Sequence, residues 1–174
     1  MNTQRQITSM AILGVLVVST SAARFVAADS RAPRTAQGAP AACTLLTTAD
    51  ATKALEAPSQ PGKSDIGPTM CIWSNDPAAS DSSRKVAVNT HTLRSFQAAK
   101  NPAITTIKIE PVSGIGDEAF YEIYPNDQSP FIWVRKGNNA ISIRILTRLK
   151  PKPFTLDQEK SKEAVLAKAA VGKL

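Results

Sequence analysis

The sequence predicts an α+β fold built on an antiparallel sheet, and three observations carry that reading. Short runs of alternating apolar and polar residues recur along the chain, clearest at 84–91 (RKVAVNTH) and 140–146 (AISIRIL). Gly137-Asn138-Asn139 separates two such runs as a hairpin turn. Helical segments with N-terminal caps stand before, between and after the strands. The order is helix, strand, strand, helix, strands, hairpin, long helix. Hairpins argue for an antiparallel sheet, with the helices expected on one face.

The N-terminus reads as an export signal. Residues 1–6 are polar and carry Arg5; residues 7–23 are mostly apolar and hold no charge before Arg24. A positive start, a short apolar core and then small residues is the signal-peptide pattern. Cleavage is expected before Asp29, after Val26-Ala27-Ala28, with Ala23 and Arg24 as the alternative junction. An uncleaved anchor would need about 20 apolar residues, and the uninterrupted core here is nearer half that. No Cys directly follows the apolar run, so the pattern does not fit a lipoprotein. The signal is therefore 1–28, and no transmembrane segment is expected once it is removed. Residues 29–42 (DSRAPRTAQGAPAA) have no periodicity and read as a disordered lead-in. A single α+β domain is expected over 43–174.

Cys43 and Cys71 are the two cysteines. An even count in an exported chain reads as a disulfide, and two cysteines allow one intramolecular pairing. The closed loop of about 29 residues is worth roughly 3.5 kcal/mol in the chain-entropy model. With His91 the only histidine, a zinc site would lack ligands.

Along the domain, Thr47 or Thr48 can cap a helix over 48–57, with Asp50 three residues after Thr47. Ala51, Ala54 and Leu55 share its inner face, and Pro58 stops it. Residues 59–69 are a Pro/Gly/Ser loop. A strand is expected at 70–74 and a second at 84–91, with Val86 and Val88 on one face. Leu93, Phe96 and either Ala99 or Lys100 suit a short helix ended by Asn101-Pro102. Strands follow at 105–110, 119–124, 131–136 and 140–146, where Ile141, Ile143 and Ile145 share a face. Thr155 caps the last helix with Gln158 at the capping-box position, and Val165, Leu166, Ala169 and Ala170 form its expected apolar face. Ile72-Trp73 and Ile132-Trp133 each open a strand pair followed by a helix, which suggests a duplicated strand-strand-helix unit.

An ordered set of short motifs carries a family resemblance. It comprises Cys43-Thr44-Leu45-Leu46-Thr47, then Cys71-Ile72-Trp73, then Gly114-Ile115-Gly116-Asp117-Glu118-Ala119-Phe120. The strand pair about Val134-Arg135-Lys136-Gly137 and a C-terminal Ala/Lys/Leu helix complete it. The chain resembles, over essentially the whole mature domain, a family of small exported bacterial proteins, many of them lipoproteins, of uncharacterised function. The resemblance implies an α+β fold and a Cys43–Cys71 bridge, and it supplies no catalytic residues.

No catalytic, cofactor or metal site emerges from the residues. Gly114-x-Gly116 precedes a strand rather than a helix, so it reads as a tight turn and not a dinucleotide loop. Asp117 and Glu118 are adjacent and would point to opposite faces of a strand, which suits neither a glycosidase pair nor a shared metal. No G-x-S-x-G surrounds any serine. The formal charge of +7 is scattered. Its loose cluster at Arg144, Arg148, Lys150 and Lys152 lacks the interleaved aromatics of a nucleic-acid binder, though it leaves room for weak attraction to anionic envelope polymers. The best lead is an aromatic ligand face made of Trp73, Tyr121 and Trp133, with Tyr124 and Phe131 beside them. The expectation is an extracytoplasmic, non-enzymatic binding domain acting on an envelope protein or anionic polymer. A hydrolase of envelope material and an accessory subunit are the alternatives.

Overall fold

β-Branched and aromatic residues at alternate positions build a single antiparallel sheet, seven strands wide among the described residues. The structure, a computed structural model, describes residues 40–80, 82–125, 129–147, 149 and 151–174. The strands are β1 Lys63–Ser64, β2 Met70–Ser74, β3 Arg84–His91, β4 Lys108–Val112, β5 Glu118–Ile123, β6 Pro130–Lys136 and β7 Asn139–Thr147. Their order across the sheet is β1-β2-β3-β7-β6-β5-β4. Among the described residues three α-helices accompany them: α1 Thr48–Leu55, α2 Leu93–Lys100 and α3 Leu156–Val171. The α+β class and the antiparallel sheet are as the sequence predicts.

The first face of the sheet holds the main core. Trp73, Val86, Val88, Tyr121, Ile132, Val134, Ile141, Ile143 and Ile145 all point there. Ala51, Ala54 and Leu55 of α1 and Leu166, Ala167 and Ala170 of α3 pack on them. Each fully buried Ile or Leu contributes about 1.5–3 kcal/mol of transfer free energy. Both flanking helices start on capping boxes. Thr47 Oγ1 accepts from the Asp50 N–H while Asp50 accepts from the Thr47 N–H; Thr155 and Gln158 repeat the exchange for α3. Glu56 ends α1 in the left-handed region, two residues before Pro58.

The Cys43–Cys71 disulfide forms, with an S–S distance of 2.02 Å and Cα atoms 5.0 Å apart. It ties a 3-10 turn, Ala42–Thr44, to β2.

Several boundaries differ from expectation. The signal 1–28 and most of the lead-in lie outside the described residues, but the lead-in does not run to 42: Ala42 is already fully buried in the 3-10 turn. The fourth strand starts at Lys108, because the Ile107 N–H closes a turn onto the Ile104 carbonyl. It then continues through Pro111, which an edge strand tolerates. β1 was not expected and is only two residues long. α1 and α3 share a face as expected, but α2 packs on the opposite one, where Phe96 meets Phe120, Trp133 and Ala140. Trp73 and Trp133 likewise point to opposite faces. The two strand-strand-helix segments therefore form no symmetric pair.

α3 also differs in its rotation. The buried stripe is Glu159, Glu163, Leu166, Ala167 and Ala170, while Val165 is 54% exposed. Two glutamates occupy inward positions that side-chain polarity would place in solvent.

Candidate functional site

The register across the second face brings distant residues into rows. Trp133 lies opposite Phe120 on β5 and Ser142 on β7, and Ser142 lies opposite Asn89 on β3. One row below, Glu122 pairs with Phe131, and Arg144 pairs with Ala87. α2 covers only part of this face. Phe131, Tyr124, Arg144, Lys85 and Ile72 stay partly exposed along it.

Trp133 is the centre of the arrangement. Its ring stacks with Phe120 at 6.2 Å and meets Phe96 edge-on at 6.5 Å. The His91 imidazole lies 4.3 Å away on its other contacts. Its indole N–H donates to Glu122 Oε2 at 2.7 Å, and the Tyr124 hydroxyl donates to Glu122 Oε1 at 2.9 Å. A carboxylate that is 6% exposed is thus held by two aromatic donors. Burial, and then the bond to Glu122, raise the Tyr124 pKa above its ordinary value. Tyr124 also meets Phe131 edge-on at 6.0 Å, and the Arg144 guanidinium sits 4.2 Å above the Phe131 ring. Such a contact is worth about 0.5–2 kcal/mol depending on desolvation.

The three aromatics expected to share a ligand face do not come together. Trp73 is 1% exposed in the main core, beneath the first-face helices. Tyr121 is in that core too, its hydroxyl donating to the Lys160 carbonyl of α3 at 2.5 Å. Only Trp133 belongs to the second face. The residues that accompany it, Glu122, Ser142 and Arg144, were not singled out from the sequence as partners. The available signal was a charged residue at an apolar phase: Glu122 is in step with Phe120, two residues before it.

The remaining sequence candidates have structural roles. Gly114 and Gly116 adopt φ of 77° and 62°, and a Cβ on Gly116 would lie 2.5 Å from the Arg135 carbonyl oxygen. Asp117 Oδ2 accepts the Gly137 N–H at 2.7 Å, fastening the β6–β7 hairpin. Glu118 pairs with Lys100 and Arg135, and the Lys100 contact is the main reason its pKa is lowered. His91 Nε2 meets Ser142 Oγ at 2.8 Å. Ser142 is 2% exposed in mid-strand, so this contact fixes the imidazole and presents no accessible nucleophile. Among the described residues no three His, Cys, Asp or Glu side chains gather as a metal site. Arg148 and Lys150 of the basic cluster lie outside the described residues.

A cleft of about 220 Å³ runs beside β2, lined by Lys63, Asp65, Ile72 and Asp76. A second, of about 180 Å³, lies between α1 and α3 over Ala54, Val165, Leu166 and Ala169. Neither is lined by a histidine or a cysteine. No described helix is long and apolar enough to cross a membrane.

No family model, curated protein or solved structure matches the chain.

Proposed function

We propose that the chain is an exported, non-enzymatic binding domain of the bacterial cell envelope or exterior, engaging its partner through the second face of the sheet. One observation carries this reading: beyond the reach of α2, that face keeps Phe131, Tyr124 and Arg144 partly exposed and orients them through Glu122 and Trp133. Aromatic surface next to positioned polar groups is the composition of a recognition site. The disulfide supports an oxidising compartment. The leader-like residues 1–28 and the resemblance to small exported bacterial proteins point the same way. An anionic envelope polymer or an envelope protein is the partner class that suits the basic chain.

Two measurements test this. Fractionation of the native host with intact-mass analysis should find a chain beginning at Asp29 or Arg24 outside the cytoplasm, alkylated only after reduction. A full-length chain with free thiols in the cytoplasm overturns the export reading. Amide spectra of the mature chain should then be titrated with soluble envelope polymers and with envelope protein fractions. Shifts that cluster on 120–133 and 142–144, and vanish in Phe131→Ala, support the face. Shifts elsewhere, or none in any fraction, overturn it. Turnover of envelope material by the purified mature chain would favour the hydrolase reading.

A further inference from the structure

His91 ends β3, and α2 begins two residues later. Its ring lies on Trp133 and its Nε2 on Ser142. α2 itself is lightly held. Phe96 is its one buried side chain, set against Phe120 and Trp133. At the far end Lys100 pairs with Glu118. An element with so little buried surface opens at a lower free energy than the whole fold. Its two points of attachment are therefore the His91 end and the Lys100 end, with Phe96 between them.

We propose that α2 is an acid-sensitive latch over Trp133 and Phe120, opened when His91 takes up a proton. An imidazolium at this position is poorly accommodated. Among the described residues no carboxylate is hydrogen-bonded to His91. Glu122 is engaged by Trp133 and Tyr124, and Glu118 by Lys100 and Arg135. The charged side chains of the elements packed around the imidazole, Arg94 and Lys100 on α2, Arg135 on β6, Arg144 on β7 and Lys85 on β3, are positive; of the acids at the margins of this face, Asp117 is paired with Arg135 and Asp76 interacts with Lys85. β2 contributes none. The positive end of the α2 dipole begins at Thr92, the next residue. Burial holds the His91 pKa below its ordinary value of 6.5. The sign follows: the closed state loses stability as the pH falls below that ordinary value and through the lowered one. Opening returns the charged ring to water and uncovers Trp133 and Phe120 beside the Glu122–Phe131 row. The latch stands on its own geometry, whether or not that row binds a partner.

His91 is the chain's only histidine, so its ring signals can be followed by NMR in the mature chain without assignment ambiguity. Amide exchange of residues 93–100, corrected for the intrinsic pH dependence, should be measured on the same samples from pH 7.5 to 5. Protection there should fall by up to about tenfold per pH unit, the limit for one proton taken up on opening. The fall should track the His91 titration while β3 and β7 stay protected, and His91→Gln should abolish it. Protection of α2 that ignores pH, or that falls equally in His91→Gln, overturns the latch. Should His91→Gln not fold, the wild-type chain still decides: α2 protection that does not begin to fall near pH 6.5 and level off below the His91 midpoint overturns it.

Discussion

Trp133 and Glu122 sit on adjacent strands of the second face, and the indole N–H of one donates to the carboxylate of the other at 2.7 Å. Both are largely buried, so neither can turn to water if its partner is lost. Glu122→Ala strands the indole N–H and the Tyr124 hydroxyl, and about 1–3 kcal/mol of stability should go with them. Glu122→Gln keeps an acceptor and should cost less. Urea unfolding of the two variants, with Trp133→Phe to complete a double-mutant cycle, checks this. Strictly additive losses would show that the pair is not coupled.

The disulfide joins residues 28 apart in sequence. Its removal frees the 3-10 turn that leads into α1, which covers part of the main core. Cys43→Ser with Cys71→Ser should lower the unfolding free energy by roughly 3.5 kcal/mol. The same loss should appear in the wild type under reducing agent. An unchanged midpoint would mean that the turn is held by packing alone.

How legible this fold was depended on whether polarity and position agreed. In β3 and β7 they do: valines and isoleucines alternate with polar residues, and the expected strands match the observed ones within a residue. Thr47–Asp50 and Thr155–Gln158 marked the helix starts because a cap needs those side chains at that spacing. The failures have physical reasons. Phe131-Ile132-Trp133-Val134 is apolar without a break, so both of its faces are buried and nothing local says which one a helix covers. α2 crosses from β3 to the far edge on the side that Phe120 and Trp133 leave apolar. In α3, Glu159 and Glu163 stand where the pattern asks for apolar residues, which pulled the expected stripe onto Val165. The Trp133–Glu122 and His91–Ser142 contacts depend on cross-strand register, and local pattern does not fix register.

Gly62 has a role that spacing could not reveal. A Cβ built there would lie 2.5 Å from Cε2 of the Trp73 ring. Trp73 is wedged in the core on the disulfide strand itself, two residues after Cys71. Gly62→Ala should therefore destabilise by about 1–3 kcal/mol through overpacking. Near-ultraviolet circular dichroism should register a changed Trp73 environment, whereas Gly172→Ala, whose Cβ would lie 3.4 Å from the Ala169 carbonyl oxygen and far from the ring in sequence, should leave that band alone.

Glu163 carries the clearest pH dependence of the main core. It is fully buried on α3. One oxygen accepts the Ile145 N–H at 2.9 Å, just past the last β6–β7 pair, and Oε2 has no hydrogen-bond partner among the described residues. Burial raises its pKa well above the ordinary 4.5; the Ile145 bond is the main opposing effect, the nearby Glu159 adds to the rise, and Arg144 and Lys160 oppose it less. A raised native pKa means that the folded chain holds the proton more tightly than the unfolded one. The stabilisation from this group is then complete below pH 4.5 and declines as the pH rises towards the native value. Glu163→Gln keeps an acceptor for Ile145 and carries no titrating proton. It should match the wild type near pH 4.5, exceed it at pH 7.5, and flatten the stability profile between them. Urea midpoints at the two pH values decide the matter: a variant weaker than the wild type at pH 7.5 would mean that the charged carboxylate is the form the fold uses.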